Sequence, residues 1–234
     1  MDKNVLKQYS LLVDFLAASL GPDYEVVLHD LGDSAKSIVA IANGYISGRC
    51  LGAPLTTKAL EMMADRLYEK SDYYINYTSL SSDNRLLRSS SLYIKDKEGK
   101  PLALLCINFD DRRYNELNSM VLKLCHPDAF VEKHLLKNVN SLPQEEKEEA
   151  ERFLNSMEAV TDSVIGAVAA SKGIPVDRLT HEEKLDIISA LDKKGLFLLK
   201  GAVSHVAEVL KSSEASIYRY LAKIQKQNGK NGQV

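Results

Sequence analysis

Apolar side chains recur at Val5, Leu6, Tyr9, Leu12, Val13, Leu16 and Leu20. This is the spacing of one helical face, and Gly21-Pro22 closes the helix. The run YEVVLHDL (24–31) reads as a strand, and SIVAIANG (37–44) as its hairpin partner across a Gly32-Asp33-Ser34 turn. Residues 44–56 hold three glycines and a proline, the composition of a loop, and Thr56 is placed to cap the helix that follows. In that helix Ala59, Leu60, Met63, Leu67 and Tyr68 share a face. YYINYTSLS (73–81) suits either a strand or an irregular segment. RLLRSSSLYIKD (85–96) and PLALLCINFD (101–110) form a long hairpin about Glu98-Gly99-Lys100. Residues 111–127 read as a helix that ends at His126-Pro127.

A further helix is expected over 144–170, between Pro143 and Gly173. Phe153, Met157, Val160, Val164 and Val168 form a narrow stripe on it, close to a coiled-coil seam. Such an edge is buried either on a twin helix in a homodimer or on its own domain. Further on, Thr180 and Glu183 make a capping box. Leu185, Ile188 and Leu191 line one face, and Gly195 is a C-terminal stop. The expected fold class is α+β. An antiparallel sheet with flanking helices would occupy 1–127, a linker and dimerisation helix 128–174, and an all-α domain 175–234.

Composition narrows the class. With 45% hydrophobic and 26% charged residues the chain is ordinary for a globular protein. No run of eighteen apolar residues occurs, so no membrane span is expected. Asp14 interrupts the first apolar stretch, which argues against a signal peptide. Three widely spaced cysteines, Cys50, Cys106 and Cys125, suit a reducing cytoplasm. The net charge of −2 is unevenly distributed. From Lys193 onward there are eight basic and two acidic residues, a tail of +6 on a body of −8. A basic terminal module is what phosphate binding needs, although a lysine-rich end has the same charge.

GAVSHVAEVLKSSEASIYRYL (201–221) reads as two short helices about a tight turn. Ala207 is the small residue at their crossing, flanked by Val206 and Leu210 and closed by Ile217, Tyr220 and Leu221. Ser213 caps the second helix. Lys211 stands where a turn glycine is usual. Glu214, Ala215, Ser216, Tyr218 and Arg219 then face outward near the end that enters a major groove. Arg219 suits a guanine or a phosphate, Ser216 either, and Tyr218 a phosphate or a thymine methyl. Lys211, Lys223 and Lys226 would lie near the DNA backbone. The plain alternative is a helical hairpin in a small bundle.

Two segments together resemble one family. LTHEEKLDIISALDKKGLFLLKGAVSHVAEVLKSSEASIYRYL is similar to the helix-turn-helix domain of YheO-like (DauR-like) bacterial transcriptional regulators. YEVVLHDL followed by SIVAIANGYISGRCLGAPLT resembles their PAS-like sensory domain. The resemblance spans about 5–120 and 178–225. It implies a cytoplasmic PAS-like sensor joined to a DNA-binding domain, with double-stranded DNA and a small-molecule effector as partners.

The polar residues at strand ends of the sensory unit are His29, Asp30, Asn43, Arg49, Asn108 and Asp110. A few convergent polar groups in an apolar cavity fix a small ligand, and Arg49 is the type that grips a carboxylate. Taken singly, Asn43-Gly44 is also turn chemistry, and His29 and Asp30 also suit backbone pairing at a strand end. Catalysis is not expected. Cys125-His126 are helical neighbours whose side chains diverge, and no phosphate loop, HExxH or paired CxxC occurs. The histidines and cysteines lack ligand spacing, so no metal or cofactor is expected. The sequence reads as a homodimeric, ligand-responsive DNA-binding regulator. A protein-interaction module acting through 144–170 is the alternative.

Overall fold

The computed structural model describes residues 3–135, 151–173 and 179–231. The N-terminal half is one antiparallel sheet with helices. Helix α1 (Lys3–Leu20) leads into β1 (Tyr24–Asp30) and β2 (Ile38–Ala42). Helix α2 (Thr57–Ala64) starts where expected, with Thr56 Oγ1 accepting from the Ala59 amide. Strands β3 (Tyr73–Leu80), β4 (Leu86–Lys95) and β5 (Pro101–Phe109) follow, then helix α3 (Arg112–Cys125). The ambiguous 73–81 segment is therefore a strand. A two-residue strand β6 (Glu151–Arg152) pairs with β3 in parallel, giving the order β2-β1-β5-β4-β3-β6.

The sheet has two unlike faces, because side chains alternate along each strand. Val26, Leu28, Ile94, Ala103 and Leu105 face α1 and pack on its Val13 and Ala17. The inner face carries Val27, Tyr93, Leu104 and Cys106, which join a second core. That core runs without a break into the C-terminal half.

The C-terminal half is a helical bundle of α4 (Met157–Lys172), α5 (His181–Lys193), α6 (Ala202–Val209) and α7 (Glu214–Asn231). The helix expected over 144–170 is corrected here. Residues 144–150 lie outside the described set, Glu151–Arg152 are strand, and the helix begins at Met157 with Ser156 as its cap. Of the two burials open to the stripe, the structure shows the one within its own chain. Val160, Val164 and Val168 are buried together with Ile165, packed on Ile187, Ile188, Leu191, Ala202 and Val206 of the same chain. Phe153 belongs elsewhere, against Ile46 and Leu87 over the sheet.

The capping box of α5 is present, with Thr180 and Glu183 exchanging hydrogen bonds. Gly195 follows the helix with φ +73°. A Cβ built on it would meet the Leu60 carbonyl oxygen of α2 at 2.5 Å, so the residue is required by both its backbone angle and its neighbour. Around it, Lys194 pairs with Glu61 at 2.8 Å. Ser34 donates to the Leu198 carbonyl at 2.7 Å and accepts from the Lys200 amide. The two halves are thus joined by core, backbone contact and polar bonds.

Candidate functional site

Two regions merit attention, and the first is the helical pair. α6 and α7 meet as the sequence implies. Val206, Ala207, Leu210, Ile217 and Tyr220 are buried at their junction, and Leu221 packs beside them. Ile224 extends the same buried row. The turn uses Lys211 in the left-handed region, φ +46°, where glycine is usual. Lys184 of α5 reaches this turn, donating to Ser212 Oγ at 2.9 Å and to the Lys211 carbonyl. Ser213 Oγ accepts from the Ser216 amide and so caps α7.

With the apolar residues turned inward, the other face of α7 is free. Glu214, Ala215, Tyr218, Arg219 and Lys223 are exposed and Ser216 is half-buried. Lys211 and Ser213 are exposed beside them. Two of these side chains are held in place. Arg219 Nη2 donates to Ser216 Oγ at 2.9 Å, and Glu214 Oε1 accepts from Ser204 of α6 at 2.7 Å. Tyr220 turns inward and its hydroxyl meets His181 Nδ1 at 2.8 Å, tying α7 to the start of α5. The side chain of Lys226 lies outside the described set. The face presents a guanidinium, three hydroxyls and lysines around a helix N-terminus. That combination suits phosphate and base-edge contacts.

The second region is the inner face of the sheet. Strand register puts Glu25 opposite Asn108, Asn108 opposite Ser89, and Ser89 opposite Tyr77. The side chains of Glu25, Asn108 and Ser89 bond in a line across the sheet, continued by Ser79. Asn108 Nδ2 donates to Glu25 Oε1 at 2.6 Å, and Ser89 Oγ donates to Asn108 Oδ1 at 2.7 Å. Ser79 donates to Ser89 at 2.7 Å. Glu25 Oε2 accepts from both the hydroxyl and the amide of Ser47. Tyr77, Ser91 and Cys106 form a neighbouring chain at 2.9 and 3.1 Å. All these side chains are buried. Burial pushes the Glu25 carboxyl above the ordinary carboxylate range, against the pull of Ser47, Asn108 and Arg49. Burial pushes the Tyr93 hydroxyl up to about 12, and it has no hydrogen-bond partner among the described residues.

The loop from Asn43 to Thr56 covers this face. Arg49 is buried, donates to the Pro54 carbonyl and lies 5.8 Å from the Phe153 ring. Asn155 donates to the Gly48 carbonyl, so the chain entering α4 closes over the loop. Arg85 also fastens it, donating to the Tyr45 and Ile46 carbonyls and pairing with Asp110 at 2.6 Å.

Of the six residues expected to line a pocket, Asn108 and Arg49 meet in this network. His29 lies beside them, bonded to Ser37 at 2.8 Å and held well below the usual imidazole range by burial and then by Arg49. Asp110 sits at the rim, buried between Arg85 and Arg112, next to a cleft of about 290 Å³ lined by Tyr45, Ile46 and Arg113 among others. Two expectations are corrected. Asn43 donates to the Gly21 and Tyr24 carbonyls, in the left-handed conformation of a turn residue. Asp30 accepts from the Gly32 amide and serves the hairpin turn. The local demand of each turn outweighs a role in the pocket.

Sequence reasoning passed over Glu25, Ser79, Ser89 and Ser91. A signal was present, since Glu25 shares its strand face with Val27 and His29 in a largely apolar run. Likewise Ser89 and Ser91 lie between Leu87 and Tyr93 on one face of a strand. Polar residues at core-facing positions of a strand flag a site.

The YheO-like PAS domain family matches residues 1–126, and an HTH domain family matches residues 160–222. The uncharacterized protein YheO of Escherichia coli (strain K12) is 28% identical over 221 residues, 94% of this chain and 85% of that protein. The transcriptional regulator DauR of Pseudomonas aeruginosa is 28% identical over 220 residues, 94% of each. An uncharacterized protein of Haemophilus influenzae is 25% identical over 227 residues, 97% of this chain and 94% of its own length.

Proposed function

The chain belongs to the YheO-like PAS domain family and carries a helix-turn-helix domain, and from that premise we propose that it is a DNA-binding transcriptional regulator whose PAS-like domain senses a small polar metabolite. The observation that carries this is the free face of α7. Val206, Ala207, Leu210, Ile217 and Tyr220 are turned inward, while Arg219, Ser216 and Tyr218 stand together at the end of the helix that a major groove receives. DauR, similar over nearly the whole chain, is named as a transcriptional regulator.

The effector side of the proposal rests on the inner face of the sheet. A carboxyl, an amide, serine hydroxyls and the Tyr93 hydroxyl converge there beside apolar residues. This is the mixture that orients a small polar molecule. An effector bound there would have to favour one arrangement of the two halves over another to act on DNA. The Gly195–Leu60 contact and the Ser34 and Lys194 bonds are the elements that such a difference would pass through.

PAS and helix-turn-helix domains are regulatory modules, and no reaction is assigned. The rival reading, a protein-interaction module acting through the 144–170 stripe, loses its surface because Val160, Val164 and Val168 are buried within the chain. No helix among the described residues is long and apolar enough to cross a membrane.

The test is fluorescence anisotropy of the full chain with DNA from upstream of its own coding region, against scrambled DNA, over a salt series. Tighter binding to the native DNA, with a steep salt slope, is expected. Equal affinity for both sequences would sink the operator reading.

A further inference from the structure

Helix α3 turns an apolar face outward. Its half-buried positions are Asn115, Ser119, Leu122 and Lys123, while Tyr114, Leu117, Met120, Val121 and Leu124 are 50 to 87% exposed. No residue of α3 is buried. Among the described residues its packing is confined largely to the turn Val131–Leu135 that follows and to a ring contact between Tyr114 and Phe109. A two-heptad helix without tertiary support is marginal in water, and an apolar face of this kind marks an interaction site.

We infer that this face is the homodimer interface, occupied by α3 of a second copy of the chain, antiparallel to the first. Three observations choose that occupant. Tyr114, Leu117, Val121 and Leu124 are spaced three, four, three, which is the repeat that seats a helix of the same kind. Their exposed fractions, with Met120, amount to roughly three whole large side chains, about 600 Å² per copy at ~200 Å² each. A stable interface needs about 800 Å² per partner, and Phe130, 47% exposed just beyond the helix, adds to the patch. The register also closes on itself. In an antiparallel pair centred on Ser119, Tyr114 of each copy meets Leu124 of the other and Leu117 meets Val121, and the helix dipoles oppose.

The inference supplies the two-fold symmetry that a paired operator site requires, and it rests on the regulator reading only for its use on DNA.

The test is light scattering with sedimentation equilibrium on the full chain, without DNA. The wild type should have twice the 26.0 kDa chain mass. The double variant Leu117→Lys with Leu124→Lys should run at the single-chain mass. Both positions are exposed, so its circular dichroism should match the wild type. Leu117→Lys alone should raise the dimer dissociation constant several-fold, and adding Val121→Glu, which places an opposite charge against it across the pair, should restore it in part. A monomeric wild type would overturn the inference, and so would a double variant that remains dimeric. Failure of the opposite charge to restore the dimer would overturn the antiparallel pairing. Arg219→Ala should leave the mass unchanged, so loss of the DNA reading and loss of the interface are distinguishable.

Discussion

Glu25 and His29 share one face of β1, and burial drives them in opposite directions. The Glu25 carboxyl is raised, so it favours folding at acid pH and loses that contribution as pH rises through its elevated value. The His29 imidazole is depressed, so it contributes above about pH 6.5 and is lost as pH falls toward its folded value. Acidifying the protein below 6.5 should therefore cost up to about 1.4 kcal/mol per pH unit through His29. A Tm series from pH 7.5 to 5 should show this slope in the wild type and a flatter one in His29→Gln. At the other end of the chain, Arg219 and Lys223 should separate by role. Arg219→Ala should cost about 1–3 kcal/mol on the native site and relax preference at one base. Lys223→Ala should weaken native and scrambled DNA alike and flatten the salt slope. Identical behaviour of the two on both DNAs would move the reading face elsewhere.

At the scale of elements, the stops and caps carry the arrangement of the helices. Thr56, Ser156, Thr180 and Ser213 each satisfy an amide at a helix start. Gly195 does more than end α5, because its bare Cα lets the α2 backbone approach. Gly195→Ala should destabilise by at least ~2 kcal/mol, combining left-handed strain with a clash against the Leu60 carbonyl. Chemical denaturation of the variant measures this, and a change under 1 kcal/mol would show that the close approach relaxes freely.

Across the whole molecule, one core cluster spans both halves. Val27, Ile38, Leu60 and Leu104 belong with Val164, Leu191, Leu199, Val206 and Ile217. The sensory and helical parts should therefore unfold together. Calorimetry at fixed protein concentration should give one transition with matching calorimetric and van't Hoff enthalpies. Two resolved transitions would mean that the shared core is weaker than its burial implies.

The sequence by itself determined the local elements of this protein. Periodicity placed α1, α2, β1, β2, β4 and β5, and caps and glycines placed their ends, because those signals act within a few residues. It also determined the helix-turn-helix face, since the buried and exposed sides of a short helical pair follow from spacing alone. Tertiary structure decided the rest. Glu25, Asn108, Ser89 and Ser47 lie far apart along the chain and meet only through strand register and the covering loop. The stripe on α4 and the seam on α3 look alike in sequence, yet one is buried by α5 and α6 while the other faces outward. Periodicity says that a face is apolar. Which neighbour covers it is set by packing between distant segments, and no local pattern encodes that.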